Sequence, residues 1–237
     1  MKGILFNTKM VQAILGGKKS CTRRNPFHFQ FRNGRNPNFS GYSLGEYCTG
    51  KIDSGAVLYS RRGDGGWEQV TERVKPKYKV GDILYVRETF NSDCLDYGDP
   101  IIYKADFTEG ESQAFYHDCT DFKWRPSIHM PKSAARIFLE VTDVRVERLQ
   151  DITSVGAEME GVSQTSFWKP HDMDDRPFEE KWWDDYYFWG HYPQIAFSNL
   201  WNSTIKKQDL DKYSWQANPF VWVYKFKRID KSEDTDG

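Results

Sequence analysis

Residues 135–149, ARIFLEVTDVRVERL, follow an alternation of apolar and polar side chains over most of a long run, clearest from Leu139 to Thr142 and from Asp143 to Glu147. A period of two sends successive side chains to opposite faces of an extended backbone, so this segment predicts the longest strand, with a bend near Thr142 and Asp143. Such a strand needs hydrogen-bonding neighbours at its edges and cover on its apolar face, which commits the chain to a sheet-based fold. The neighbours obey the same rule. NPFVWVYKFKRI, residues 218–229, predicts a closing strand with Val221, Val223 and Lys225 opposite Trp222, Tyr224 and Phe226. VGDILYVRETF, residues 80–90, puts Ile83, Tyr85 and Arg87 on one face and Leu84, Val86 and Glu88 on the other, and KGILF and IIYKADF read as shorter strands.

Helical patterns are few and short. TKMVQAILGG fits a helix with Thr8 as N-cap, Met10, Val11, Ile14 and Leu15 on its apolar face, and Gly16 or Gly17 at its stop. DITSVGAEMEGV predicts a second helix capped by Asp151 or Thr153 and closed by Gly161, and YPQIAFSNLWNSTI a third. Two prolines in WRPSIHMP exclude a regular helix or a central strand there. Two stretches break the pattern. Residues 26–75 are polar and rich in Gly, Asn and aromatics, and read as an insertion with hairpin turns at Asn33-Gly34 and Asp64-Gly65. Residues 163–191, containing EEKWWDDYYFWG, form an acidic and aromatic second insertion, and 231–237 a flexible tail. The fold class expected is α+β, a small mixed barrel with two or three short helices and two large insertions, and the chain through residue 230 reads as a single domain.

The 237 residues, 38% of them hydrophobic, suffice for one sizeable core. The four cysteines, at 21, 48, 94 and 119, show no C-x-x-C pair, so free thiols in a reducing cytoplasm are expected rather than a zinc site or a disulfide framework. The five histidines, at 28, 117, 129, 171 and 191, show no helical ligand spacing, and no metal or organic cofactor is implied. No run reaches membrane-spanning length, so no membrane partner is expected. A net charge of −1 argues against bulk electrostatic binding of long nucleic acid. Its distribution is uneven: residues 1–50 hold eight Lys or Arg against one acidic residue, and 91–237 hold seventeen against twenty-seven.

The basic excess concentrates in GGKKSCTRR, residues 16–24, where four cations surround Ser20, Cys21 and Thr22. The simplest reading is a solvated loop leaving a helix whose dipole favours cations at that end. The alternative is an anion-binding or nucleobase-binding site that also holds a nucleophile.

Taken in order, AILGGKKSCTRR, VGDILYVRETF, WRPSIHMPKSAARIFLEVTDVRVERLQDI, AEMEGV and NPFVWVYKFKRI resemble the ASCH domain of the PUA-like superfamily, in the elaborated form found in bacteriophages and prophages. The resemblance covers most of the chain outside the two insertions. It implies a small β-barrel with a cleft for RNA or a nucleoside base. Compact bacterial members are similar to N4-acetylcytidine amidohydrolases, which remove an acyl group from the exocyclic amine of cytidine. The matching positions here are Lys19, Thr22, Arg24 and Glu160, with Glu158 as the neighbouring alternative for the glutamate.

On that resemblance Thr22 attacks the acyl carbon, Lys19, crowded by Lys18, Arg23 and Arg24, takes its proton, and Glu160 returns one to the leaving amine. Arg24 holds the acyl oxygen or the glutamate. Glu88 sits at the barrel rim, as a substrate contact or as a structural partner for Arg87 or Arg24. Trp124 offers a stacking platform or packs in the core, while Arg125, Ser127 and His129 on the proline-framed loop line the pocket. Three functions follow: an amidohydrolase on a modified pyrimidine nucleoside, a non-catalytic reader of RNA or modified bases, and a binder of a host protein through 163–191.

Overall fold

A computed structural model describes residues 1–28, 30, 42–44, 55–61, 66–92, 101–108, 123–162 and 193–230. The chain is α+β and divides into two compact units. The first comprises residues 1–20, 80–142 and 226–237, the second 21–79 and 143–225. Strands β1 (Lys2–Leu5), β6 (Ile83–Arg87), β9 (Phe138–Arg148), β10 (Phe220–Ile229) and β2 (Cys21–Phe27) are hydrogen-bonded in that order, and β9 and β10 contribute residues to both units. At eleven residues β9 is the longest strand described, and the unit boundary falls between Thr142 and Asp143.

In the first unit β1 runs parallel to β6, with Gly3 opposite Tyr85. A Cβ at Gly3 would come within 2.9 Å of the tip of the Tyr85 ring, which would have to shift to admit it. Helix α1 (Thr8–Leu15) buries Met10, Val11, Ala13 and Ile14. Its cap is Asn7 rather than Thr8: the Asn7 Oδ1 accepts from the Met10 N–H at 2.9 Å, satisfying one amide that has no partner within the helix. Gly17, at φ +70, ends the helix, and the amides of Lys18 and Lys19 both donate to Ala13 O. In β6 the alternation is as expected, with Leu84, Val86 and the following Glu88 buried. Strands β7 (Phe90–Asn91) and β8 (Ile102–Tyr103) pair, and KAD beyond them forms a 3₁₀ turn instead of continuing as a strand. The unit's core gathers Phe90, Met130, Ala134, Ala135 and Phe138.

The second unit begins with a correction. Residues 21–24 are not a loop: CTRR opens β2, paired antiparallel with β10. Strands β3 (Tyr42–Leu44), β4 (Leu58–Arg61) and β5 (Trp67–Gln69) make an antiparallel sheet within the expected insertion. The turns expected at Asn33-Gly34 and Asp64-Gly65, and the insertion 163–191, lie outside the described residues. Helix α2 (Ser154–Met159) is capped by Thr153, whose hydroxyl accepts from the Gly156 N–H at 3.0 Å, and Gly161 follows at φ +83. Helix α3 spans 193–204 and α4 Leu210–Tyr213. Phe197, Trp201, Val221 and Val223 pack with Leu149, Ile152 and Ala157 as this unit's core. Among the described residues no helix is long and apolar enough to cross a membrane.

Gly55 makes a direct test of the described part of the insertion. Its φ is +81, a side chain there would collide with the Val74 carbonyl oxygen, and the adjoining Ala56 exchanges two backbone hydrogen bonds with Val74. Gly55→Ala is expected to cost more than about 1 kcal/mol, read as a lower urea midpoint at unchanged slope.

Candidate functional site

Pairing of β2 with β10 sorts the basic segment onto two faces. Thr22 lies opposite Tyr224, Arg24 opposite Trp222 and Phe27 opposite Phe220, while Cys21 and Arg23 alternate onto the other face opposite Lys225 and Val223. The register slips between Phe220 and Trp222, so Arg24 and Phe27, three apart in sequence, meet partners only two apart. The extra residue is a bulge at Asn25-Pro26, where a proline lacking an N–H is tolerated.

On the first face the Arg24 Nε donates to the Thr22 Oγ1 at 3.2 Å. Thr22 is buried and Arg24 half-buried. Burial pulls the Arg24 guanidinium below its usual value, and the Glu160 charge opposes the shift. The Tyr224 hydroxyl accepts from the Lys77 N–H at 3.0 Å, and its ring meets Tyr78 edge-on at 5.1 Å. Burial pushes the Tyr224 phenol up to about 12, against the backbone hydrogen bonds from Lys77 and Tyr78. Trp222 is buried and stacked with Phe27, their rings 6.1 Å apart, and its indole N–H has no hydrogen-bond partner among the described residues.

The second face is organised by Arg23. Its guanidinium donates to Glu147 Oε1 (2.7 Å from Nε, 2.6 Å from Nη2) and to Glu160 Oε1 (3.1 Å from Nη1), and lies 5.7 Å from the Phe197 ring centroid. The Arg23 backbone N–H also donates to Glu160 Oε1, at 2.6 Å. Burial would lower the Arg23 pKa, but the two carboxylates more than reverse this and raise it. Glu160 is the C-cap residue of α2, so the helix end and Thr153 at its start fix where this carboxylate stands. Of the two roles the sequence offers Arg24, holding the acyl oxygen or holding Glu160, the hydrogen bonds to Glu160 come from Arg23, and Arg24 acts on that carboxylate at longer range. Arg23 was missed because a loop reading hides the alternation. Read as a strand, CTRR assigns Arg23 to the face opposite Thr22 and Arg24, where a buried cation demands a carboxylate.

The remaining sequence-predicted residues belong to the first unit. Lys19 is buried, with its amine 5.5 Å from the centroid of the Phe6 ring. Glu88 is buried and both its oxygens accept from Arg136, at 3.0 Å each. Arg136 in turn grips Asp106 at 2.7 and 2.8 Å and lies 3.9 Å from the centroid of the Tyr103 ring. Burial pushes the Glu88 carboxyl up, and the Arg136 hydrogen bonds offset part of that. The cation facing Glu88 is therefore Arg136, while Arg87 donates instead to the carbonyls of Met130 and Ile128. Trp124 is half-buried against Phe107, ring centroids 6.0 Å apart. Arg125 is exposed and its backbone exchanges two hydrogen bonds with Phe90. Half-buried Ser127 and exposed His129 bracket a 3₁₀ turn around exposed Ile128. Among the described residues no cluster of three or more His, Cys, Asp or Glu could hold a metal ion.

No protein-family model, curated protein or solved structure matches the chain.

Two outcomes follow from these contacts. Arg23→Met strands two carboxylates in partly or wholly buried positions and is expected to cost about 3 kcal/mol or more in chemical denaturation, whereas Arg145→Met, at a half-exposed partner of Glu147, costs under about 1 kcal/mol. For Tyr224 the folded pKa lies above the unfolded value of about 10, so its contribution to stability is complete below pH 10 and declines as pH rises toward 12. The difference between wild type and Tyr224→Phe in urea midpoint should shrink over that interval by the equivalent of about 2 kcal/mol.

Proposed function

We propose that this protein is an amidohydrolase that removes an N4-acyl group from cytidine or a related modified pyrimidine nucleoside, built on an ASCH-type, PUA-like barrel. The observation that carries the reading is burial: Lys19, Thr22 and Glu160 are 4%, 3% and 3% exposed, which a solvated basic loop does not produce. Polar groups are withdrawn from water when they have work to do or partners to meet, and these three are the positions the ASCH resemblance marks.

In this reading Thr22 Oγ1 attacks the acyl carbon and Lys19 takes its proton. Arg24, already hydrogen-bonded to that hydroxyl, stabilises the negative charge that develops on the tetrahedral oxygens. Collapse breaks the C–N bond, leaving the acyl group on Thr22, and the protonated lysine returns the proton to N4. Water then releases the acid. Glu160 Oε1 accepts two hydrogen bonds from Arg23, which suits it to accept a hydrogen bond from the N4 amide N–H more than to donate a proton. A net charge of −1 suits a free nucleoside better than a long polyanion. Nucleoside chemistry of this kind belongs in the cytoplasm of a bacterial host cell, and it requires no cofactor.

A second reading, a non-catalytic reader of RNA, draws on the exposed Arg125, Ile128 and His129 together with the basic first fifty residues. The experiment that separates them is turnover of a panel of N4-acylated cytidines at two salt concentrations. Salt-insensitive hydrolysis is expected, with Lys19→Arg and Thr22→Ala each reduced by roughly a hundredfold or more and Thr22→Ser active. A folded Lys19→Arg enzyme with near wild-type turnover defeats the mechanism. Absence of turnover together with RNA binding that falls steeply with salt replaces it with the reader.

A further inference from the structure

We infer that the Trp222 indole N–H is the recognition donor of a base-binding subsite on the β2–β10 face, taking a ring carbonyl such as the 2-carbonyl of a pyrimidine. The inference rests on the nucleoside reading above and names which atom of the base is read.

Trp222 is 2% exposed and its Nε1 has no hydrogen-bond partner among the described residues. Buried donors are satisfied in the great majority of native positions, so an unsatisfied one calls for a reason. Packing supplies none: a phenylalanine would fill an apolar site without desolvating an N–H. A ligand supplies one, and the surroundings of Trp222 specify its chemistry. Trp222 stands directly across from Arg24, whose guanidinium meets the Thr22 hydroxyl, so two donor side chains and the nucleophile of the proposed reaction share one sheet face. The bulge at Asn25-Pro26 brings the Phe27 ring onto this face, stacked on both Trp222 and Phe220. Arg24 and Phe27 are only half-buried and carry the face outward from the buried indole.

Donors set among aromatic rings fit a planar group that presents carbonyl acceptors. They do not fit a hydrated phosphate, which an indole N–H among phenyl rings cannot repay for its lost water. A pyrimidine with its 2-carbonyl on Trp222 and its flat face on aromatic carbon meets these requirements.

The test compares cytidine with 2-thiocytidine, whose sulfur is a weaker acceptor, by calorimetric titration of wild type and Trp222→Phe, with thermal melting of both free proteins. Wild type should bind cytidine about tenfold more tightly than 2-thiocytidine. Trp222→Phe should lose that preference and about tenfold in cytidine affinity, equivalent to ~1.4 kcal/mol. The free variant should stay folded, its melting temperature lowered only by the space the smaller ring leaves, since no protein hydrogen bond is removed. If phenylalanine loosens the packing, replacing the indole by its sulfur isostere, benzothiophene, keeps the bicycle and deletes only the N–H. Unchanged preference in that isostere, with N4-acylcytidine turnover intact, overturns the Trp222 assignment and leaves the nucleoside reading standing. If neither nucleoside binds wild type and no N4-acylcytidine is hydrolysed, the nucleoside reading fails and takes this inference with it.

Discussion

Arg23 brings a full positive charge into the interior of the second unit, and the elements around it are arranged to meet that charge. A buried cation without partners is among the most destabilising features a core can hold. Glu147 from β9 and Glu160 from the end of α2 both close on it, so one side chain ties a strand and a helix to β2. The tie extends to the backbone. Among the described strands β2 stands last in its hydrogen-bonded order, and Glu160 accepts the Arg23 N–H. That amide sits between Thr22 and Arg24. The carboxylate is thus referenced to the same stretch of backbone that carries the proposed nucleophile, which is the kind of fixed spacing catalysis needs.

The first unit solves a similar problem with different residues. Glu88 is buried at the end of an apolar strand face, and Arg136, from the segment leading into β9, engages it through both oxygens. Asp106 and the Tyr103 ring hold Arg136 from its other sides. Two carboxylates on one guanidinium leave it little freedom, a geometry suited to locking a core edge.

Elements whose information is local were legible in the sequence. Alternation defined β6, β9 and β10, and for β6 and β10 the faces of their side chains, and the glycines after α1 and α2 marked real helix ends. What escaped depends on pairing across distance. Nothing local distinguishes Asn7 from Thr8 as a cap, because both side chains can accept from an amide three residues on. CTRR looks like a solvated loop until β10, two hundred residues later, is placed beside it. The partners of Arg23 and Glu88 lie 124, 137 and 48 residues away, and charge alone does not say which acid meets which base. Trp222 was read as one face of an alternating strand, and only the structure shows its N–H without a partner among the described residues.

The least conspicuous device in the second unit is the one-residue bulge. In a regular strand Phe27 would alternate to the same side as Arg23, since it stands three positions beyond Arg24. The extra residue at Asn25-Pro26 reverses that parity and returns Phe27 to the face of Thr22, Arg24 and Trp222. Proline favours the arrangement because it has no amide to offer a ladder partner. One inserted residue therefore decides which aromatic ring shares a face with Thr22, Arg24 and Trp222, and it is this ring that stacks on the Trp222 indole.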